Sequence, residues 1–223
     1  MKICVVIPTY NEAKTITDII RGIRKQGLDA VVIDDGSQDN TFEIATENGA
    51  VVLRNKNNEG KGASLIKGFR YARDNDFDAV ITMDGDGQHL PEEIPYFIRL
   101  AKYSNSGIFI GNRMFKTKMM PFVRVFTNRF MSWLISFMAG QSIPDTQCGF
   151  RLIKKEVLEK INFKTSKYET ESEIIIKASR LGFKIESVPI KTIYKGEKSQ
   201  VNPVIDTLRF IKFIVREIFE KTF

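Results

Sequence analysis

Ala79-Val80-Ile81-Thr82-Met83 runs directly into Asp84-Gly85-Asp86-Gly87-Gln88-His89. A short apolar run stopped by an Asp/Gly turn reads as a buried strand that ends in a polar loop. Similar runs, rich in Val and Ile, occupy residues 3–7, 30–33, 51–53 and 108–110. Helix-like stretches separate them at 12–25, 39–47, 62–73 and 91–102. Thr15 and Asp39 are cap-type residues, and Pro91 before Glu92-Glu93 suits a first helical turn. Alternating strands and amphipathic helices predict an α/β chain: a Rossmann-like, mostly parallel sheet flanked by helices.

In such sheets ligands bind beyond the carboxyl ends of the strands. The segments found there are Pro8-Thr9-Tyr10-Asn11-Glu12, Asp34-Asp35-Gly36-Ser37, Asp84 to His89, and Gly111-Asn112-Arg113. Three carry carboxylates and the fourth an arginine. The combination suits a polar cleft that holds a cation or sugar through acids and a phosphate through Arg113.

The composition limits the classes available. The chain has 223 residues, 43% hydrophobic and 27% charged, as expected for one globular α/β domain. Its formal charge is +7, which favours phosphates, nucleic acid or an anionic membrane. Acids clustered at the strand ends argue against a nucleic-acid groove. One histidine, His89, excludes a multi-histidine zinc site. Two cysteines, Cys4 and Cys148, in unlike contexts point to free thiols and a reducing cytoplasm. The run at 3–7 is too short for a signal-peptide core. No stretch reaches the roughly 18 apolar residues of a membrane span.

Each motif has two readings. Asp84-Gly85-Asp86 places two carboxylates two apart, able to meet at one hard cation if Gly85 lets the backbone turn, with Gln88 as a neutral ligand. Asp and Gly are also ordinary turn residues. Either carboxylate of Asp34-Asp35 could accept from a base or ribose, or the pair could simply end a strand and cap a helix. Asn58-Glu59-Gly60-Lys61-Gly62 is a Gly-rich helix entry that could bind an anion through backbone N–H groups, but it matches no standard dinucleotide or Walker pattern. A nucleotidyltransferase fits poorly, because no Gly-rich loop follows the first strand.

Taken in order, Val6-Ile7-Pro8-Thr9-Tyr10-Asn11-Glu12, Asp34-Asp35-Gly36-Ser37, Asn58-x-Gly60-Lys61-Gly62 and Asp84-Gly85-Asp86-Gly87-Gln88-His89 resemble family-2 inverting glycosyltransferases of the GT-A fold. The nearest branch is the dolichyl-phosphate mannose or glucose synthase-like one. Asp145-Thr146-Gln147-Cys148-Gly149-Phe150-Arg151, Glu171-x-Glu173 and Val188-Pro189-Ile190 continue the resemblance over nearly the whole chain. It implies one domain over 1–223, with a nucleotide-sugar half (1–113) and an acceptor half (114–223). It implies a base pocket from Pro8, Tyr10, Glu12, Ile33 and Asp35, with Lys61 and Gly85 beside the nucleotide. It further implies Mg²⁺ or Mn²⁺ on Asp84, Asp86 and Gln88, phosphate contacts from Arg113, and Asp145 near the reacting centre. There Asp145 would act as base for a hydroxyl acceptor, or orient groups for an acceptor that is already an anionic phosphate. GDP- and UDP-linked sugars both fit as donors.

Residues 115–140 are aromatic, Met-rich and basic, and 208–219 are amphipathic and basic. Interleaved bulky apolar and cationic side chains suit a bilayer interface. These helices, with Arg124 and Lys195 or Lys198 on acceptor or leaving-group phosphates, imply a polyprenyl phosphate acceptor and a peripheral site on the cytoplasmic membrane face. A soluble hydroxyl acceptor is the alternative. The spacing of Phe126, Phe130 and Leu134 equally allows a core-facing stripe. A strand over 185–190 and helices over 169–181 and 204–221 complete the expected elements.

Overall fold

The computed structural model describes residues 1–114, 122–191 and 203–219. Seven strands form one sheet: β1 (Ile3–Thr9), β2 (Asp29–Asp34), β3 (Val51–Arg54), β4 (Ala79–Thr82), β5 (Ile108–Asn112), β6 (Arg151–Lys154) and β7 (Ile185–Pro189). Their order is β3-β2-β1-β4-β6-β5-β7. All pairings are parallel except those of β6, which runs antiparallel to both β4 and β5. Ile3, Cys4, Val5, Val6 and Ile7 are all buried, so both faces of β1 are covered. That coverage explains why the strands read as continuous apolar runs rather than as alternating ones.

The helices are α1 (Ile16–Lys25), α2 (Thr41–Glu47), α3 (Lys61–Asp74), α4 (Ile94–Tyr103), α5 (Phe122–Ala139), α6 (Lys155–Lys160), α7 (Thr170–Arg180) and α8 (Pro203–Phe219). A single 3₁₀ turn, Pro91–Glu93, leads into α4. Helix α1 starts at Ile16, later than the apolar spacing suggests. Asn11 to Thr15 are instead used to bind neighbouring loops. Asp39 sits one residue before the N-cap Asn40, and its carboxylate accepts from Thr41 N at 3.0 Å and Ala13 N at 3.2 Å. Strand β6 and helix α6 were not expected from the sequence. Arg151 opens β6 with a long cation, yet it is 1% exposed. Its guanidinium donates to the carbonyls of Cys148 (2.8 Å), Thr146 (3.0 Å) and Glu171 (2.6 Å), which replaces the water it gave up.

Of the two readings left open for α5, the core-facing stripe is not formed. Phe126 and Phe130 are 67% and 52% exposed, and Trp133 and Phe137 extend the exposed line. Ser132 and Ile135 face inward instead. Helix α8 carries a second exposed apolar line, Leu208, Ile211, Val215 and Ile218, while Phe213 and Glu217 are buried. Arg180 of α7 holds α8 in place, donating to Glu217 Oε2 at 2.8 Å and to its carbonyl at 2.7 Å. No helix among the described residues is long and apolar enough to cross a membrane.

Helix α3 crosses β1 at Gly68, where a Cβ would collide with Val6 Cγ1. Gly68→Ala is therefore expected to destabilise the fold by about 1–3 kcal/mol through overpacking. Urea unfolding checks this. A midpoint equal to that of the unmodified protein would contradict the close crossing.

Candidate active site

Strand β1 pairs with β2 on one side and β4 on the other, so the order of strand addition reverses between β1 and β4 while both strands run parallel. The loops after these strands diverge there and leave a crevice. The β1 loop is stitched to the β2 loop: Asn11 N donates to Ser37 Oγ at 2.9 Å and Glu12 N to Thr41 Oγ1 at 2.8 Å. Asn11 has φ 59°, a left-handed conformation that Asn tolerates better than most residues. Tyr10, Gly36, Ser37, Arg54 and Asn55 to Asn58 line a pocket of about 600 Å³ beside it. Ile33 is fully buried within β2. Its side chain belongs to the core, which leaves the main chain as its route to a nucleotide.

Asp35 is 4% exposed and already engaged. Its Oδ1 accepts from Asn55 Nδ2 (2.8 Å) and Glu59 N (2.9 Å), and its Oδ2 from Gly60 N (2.7 Å). It pins the Gly-rich turn that opens α3. Lys61, the first residue of α3, thereby reaches across the crevice. Its Nζ lies 2.6 Å from Asp84 Oδ1 and 3.1 Å from Glu171 Oε2. Burial alone would lower the Lys61 pKa and raise that of Asp84. The close ion pairs outweigh it, so Lys61 is shifted up and Asp84 down. Both stay charged across the working pH range.

The Asp84 loop is set by its neighbours. Asp84 N donates to His89 Nδ1 at 3.3 Å, Gln88 N to Asp86 Oδ1 at 2.9 Å, and Thr15 Oγ1 to the Gly85 carbonyl at 2.5 Å. A Cβ at Gly149 would stand 2.7 Å from Asp84 Oδ2, so only glycine leaves room for that carboxylate. Asp145 is buried and takes four N–H donors. Arg113 Nε (2.8 Å) and N (3.0 Å) meet Oδ2, while Arg113 NH2 (2.9 Å) and Gln147 N (3.3 Å) meet Oδ1. Ser132 and Ser136 of α5 hold this loop, accepting from Thr146 N at 2.9 Å and Ile143 N at 3.0 Å.

The crevice thus brings together Glu12, Lys61, Asp84, Gly85, Asp86 and Gln88, with the Arg113–Asp145 pair beside them. The Arg124 side chain, Lys195 and Lys198 lie outside the described residues. Glu171 and the His89 clip were not assigned from sequence. Their one signal was order, an acid in the first turn of α7 and a histidine closing the Asp/Gly loop.

A divalent cation can be tested against these donors. Asp84 already takes a cation, the Lys61 ammonium, in the crevice. Asp84, Asp86 and Gln88 offer hard oxygens. No group of three or more His, Cys, Asp or Glu suited to a metal occurs among the described residues. Two carboxylates and an amide leave a shell for ligand phosphates to complete, as Mg²⁺ and Mn²⁺ accept.

Comparison with known proteins places the chain. The model for "Glycosyl transferase family 2" matches residues 4–162. A UDP-N-acetylglucosamine–dolichyl-phosphate N-acetylglucosaminyltransferase of Methanococcus voltae is 30% identical over 86% of each chain. A dolichol-phosphate mannosyltransferase of Pyrococcus furiosus is 34% identical over 79% of this chain and 53% of its own length. The fold superposes on glucosyl-3-phosphoglycerate synthase of Mycobacterium tuberculosis in complex with UDP, with TM-score 0.80 and 20% identity over 99% of this chain and 81% of that one. The same enzyme in complex with Mn²⁺ and UDP-glucose gives TM-score 0.78 at 20% identity, over 99% and 80% of the two chains. Fold and relatives together define a nucleotide-sugar-dependent glycosyltransferase with the GT-A architecture. More particularly, the chain belongs to glycosyl transferase family 2, among relatives named for transfer to polyprenyl phosphates.

Burial lowers the His89 pKa from 6.5 to about 4, with the cations Arg113 and Lys61 adding to burial against the opposing pull of Asp84. A folded pKa below the unfolded one gives stability that is complete above about pH 6.5 and lost as pH falls towards 4. Between pH 7.5 and 4.5 the loss is about 2–3 kcal/mol. Urea unfolding of the unmodified protein should show this loss in excess of that of His89→Asn. Equal losses would contradict it.

Proposed function

We propose that this protein transfers a hexose from a nucleoside-diphosphate sugar to a polyprenyl phosphate at a membrane surface, as a single domain. The observation that carries this reading is Asp145. All four of its acceptor positions are filled by N–H groups, two of them from the Arg113 guanidinium. A carboxylate so occupied is a poor base and a good orienter. A hydroxyl acceptor requires a base, whereas a phosphate acceptor arrives ionised. Asp145 then serves to aim Arg113 at phosphate. The names of the relatives support the same acceptor class.

On the donor side, Tyr10, Glu12 and the pocket after β2 and β3 receive the nucleotide, with Pro8 a further candidate contact and Asp35 holding the Gly-rich turn. Asp84, Asp86 and Gln88 would hold Mg²⁺ or Mn²⁺. When bound, the ion offsets the negative charge that grows on the departing diphosphate. Gly85 lets the loop approach closely, and Lys61 brings a cation to the same place. The reacting carbon becomes oxocarbenium-like, and the acceptor oxygen attacks from the opposite face, inverting it. Arg124, Lys195 and Lys198 are candidates for the acceptor or leaving-group phosphates.

The exposed lines Phe126-Phe130-Trp133-Phe137 and Leu208-Ile211-Val215-Ile218 support peripheral attachment to a bilayer. A UDP- or GDP-sugar incubated with polyprenyl phosphate in detergent is expected to give a glycosylated lipid. Product only on soluble acceptors would overturn the reading. Asp86→Ala should lower the rate by about 10²–10³-fold. Trp133→Glu and Phe137→Glu should each weaken co-sedimentation with anionic vesicles about tenfold or more. They should leave nucleotide binding unchanged in a thermal-shift assay.

A further inference from the structure

We propose that Lys61 is the resident counter-cation of Asp84 and gates divalent-ion binding, so that the ion takes Asp84 only together with a nucleoside diphosphate. Lys61 then moves its ammonium wholly onto Glu171. This rests on Asp84 and Asp86 being the metal ligands, as proposed above.

The geometry supplies the reason. A Mg²⁺ or Mn²⁺ ion binds carboxylate oxygen at about 2.0–2.2 Å. The Lys61 ammonium sits 2.6 Å from Asp84 Oδ1. An ion and an ammonium on that one oxygen would be like charges at close range, so one must give way. Lys61 has somewhere to go, because Glu171 Oε2 is 3.1 Å from the same Nζ. Glu171 itself is anchored. It lies in the first turn of α7, and its carbonyl accepts from Arg151 NH1 at 2.6 Å. Only the lysine needs to shift.

Charge decides when the exchange occurs. Asp84, Asp86, Glu171 and Lys61 together carry −2, but a cation arriving alone finds Asp84 Oδ1 already paired with the Lys61 ammonium. A nucleoside diphosphate adds two or more negative charges to the crevice, and then both the divalent ion and the ammonium have partners. Metal and donor therefore bind as one unit, and metal alone binds weakly. Lys61 acts here as a positioning residue for the cation.

Electron paramagnetic resonance of free Mn²⁺, with and without UDP or GDP, tests this on the full chain. Without modification, either nucleotide should tighten Mn²⁺ binding by about tenfold or more. In Lys61→Met, Mn²⁺ alone should bind about tenfold tighter, and nucleotide should add less than about threefold. Lys61→Arg should keep the coupling of the unmodified protein. Glu171→Gln removes the ammonium's second anchor and should weaken binding of Mn²⁺ alone. Unchanged Mn²⁺ affinity and coupling in Lys61→Met would overturn the gate. Should that variant fail to fold, tighter or unchanged Mn²⁺ binding by Glu171→Gln would do the same. Absence of Mn²⁺ binding in every protein, with either nucleotide, would instead overturn the metal-site reading beneath it.

Discussion

The Lys61 bridge joins three segments that the chain order keeps far apart: the start of α3, the end of β4 and the first turn of α7. Two partly buried carboxylates, Asp84 after β4 and Glu171 in α7, would repel one another and lose water without recompense. One ammonium between them removes both problems and fixes the distance between the elements. The surrounding contacts serve the same end. Asp35 holds the turn from which Lys61 starts, and Gly149 leaves room for the Asp84 carboxylate. Arg151 ties the 145–150 loop to the beginning of α7.

Most of residues 1–113 was legible because the strands there are buried on both faces and the loops carry the polar residues. Continuous apolar runs at β1, β2 and β4 left little ambiguity, and the switch point then located the crevice. Strand β6 was hidden for a physical reason. It begins with an arginine whose burial is made tolerable by three carbonyls that only the folded chain brings together. The α5 stripe stayed open to two readings, because spacing by four marks one face of a helix without saying what that face meets. The roles of Asp35 and Asp145 were equally hidden. Sequence shows a carboxylate, but not how many N–H groups already occupy it.

Helix α5 does two things with two faces. Ser132 and Ser136 hold the loop that carries Asp145, and Phe126, Phe130, Trp133 and Phe137 point away from the protein. On the proposed reading, the surface that meets the bilayer and the loop that shapes the acceptor site are opposite sides of one rigid rod. The acceptor phosphate is then delivered at a height fixed by helix diameter, about 10 Å.

The crowded Asp145 carboxylate bears on economy as well as mechanism. An activated sugar donor is open to any nucleophile, and water is the most abundant one. To compete, a water molecule must lose a proton to something nearby. Asp145 has no vacant lone pair to receive it. On the proposed reading, that full set of hydrogen bonds withholds this carboxylate from water between encounters with acceptor.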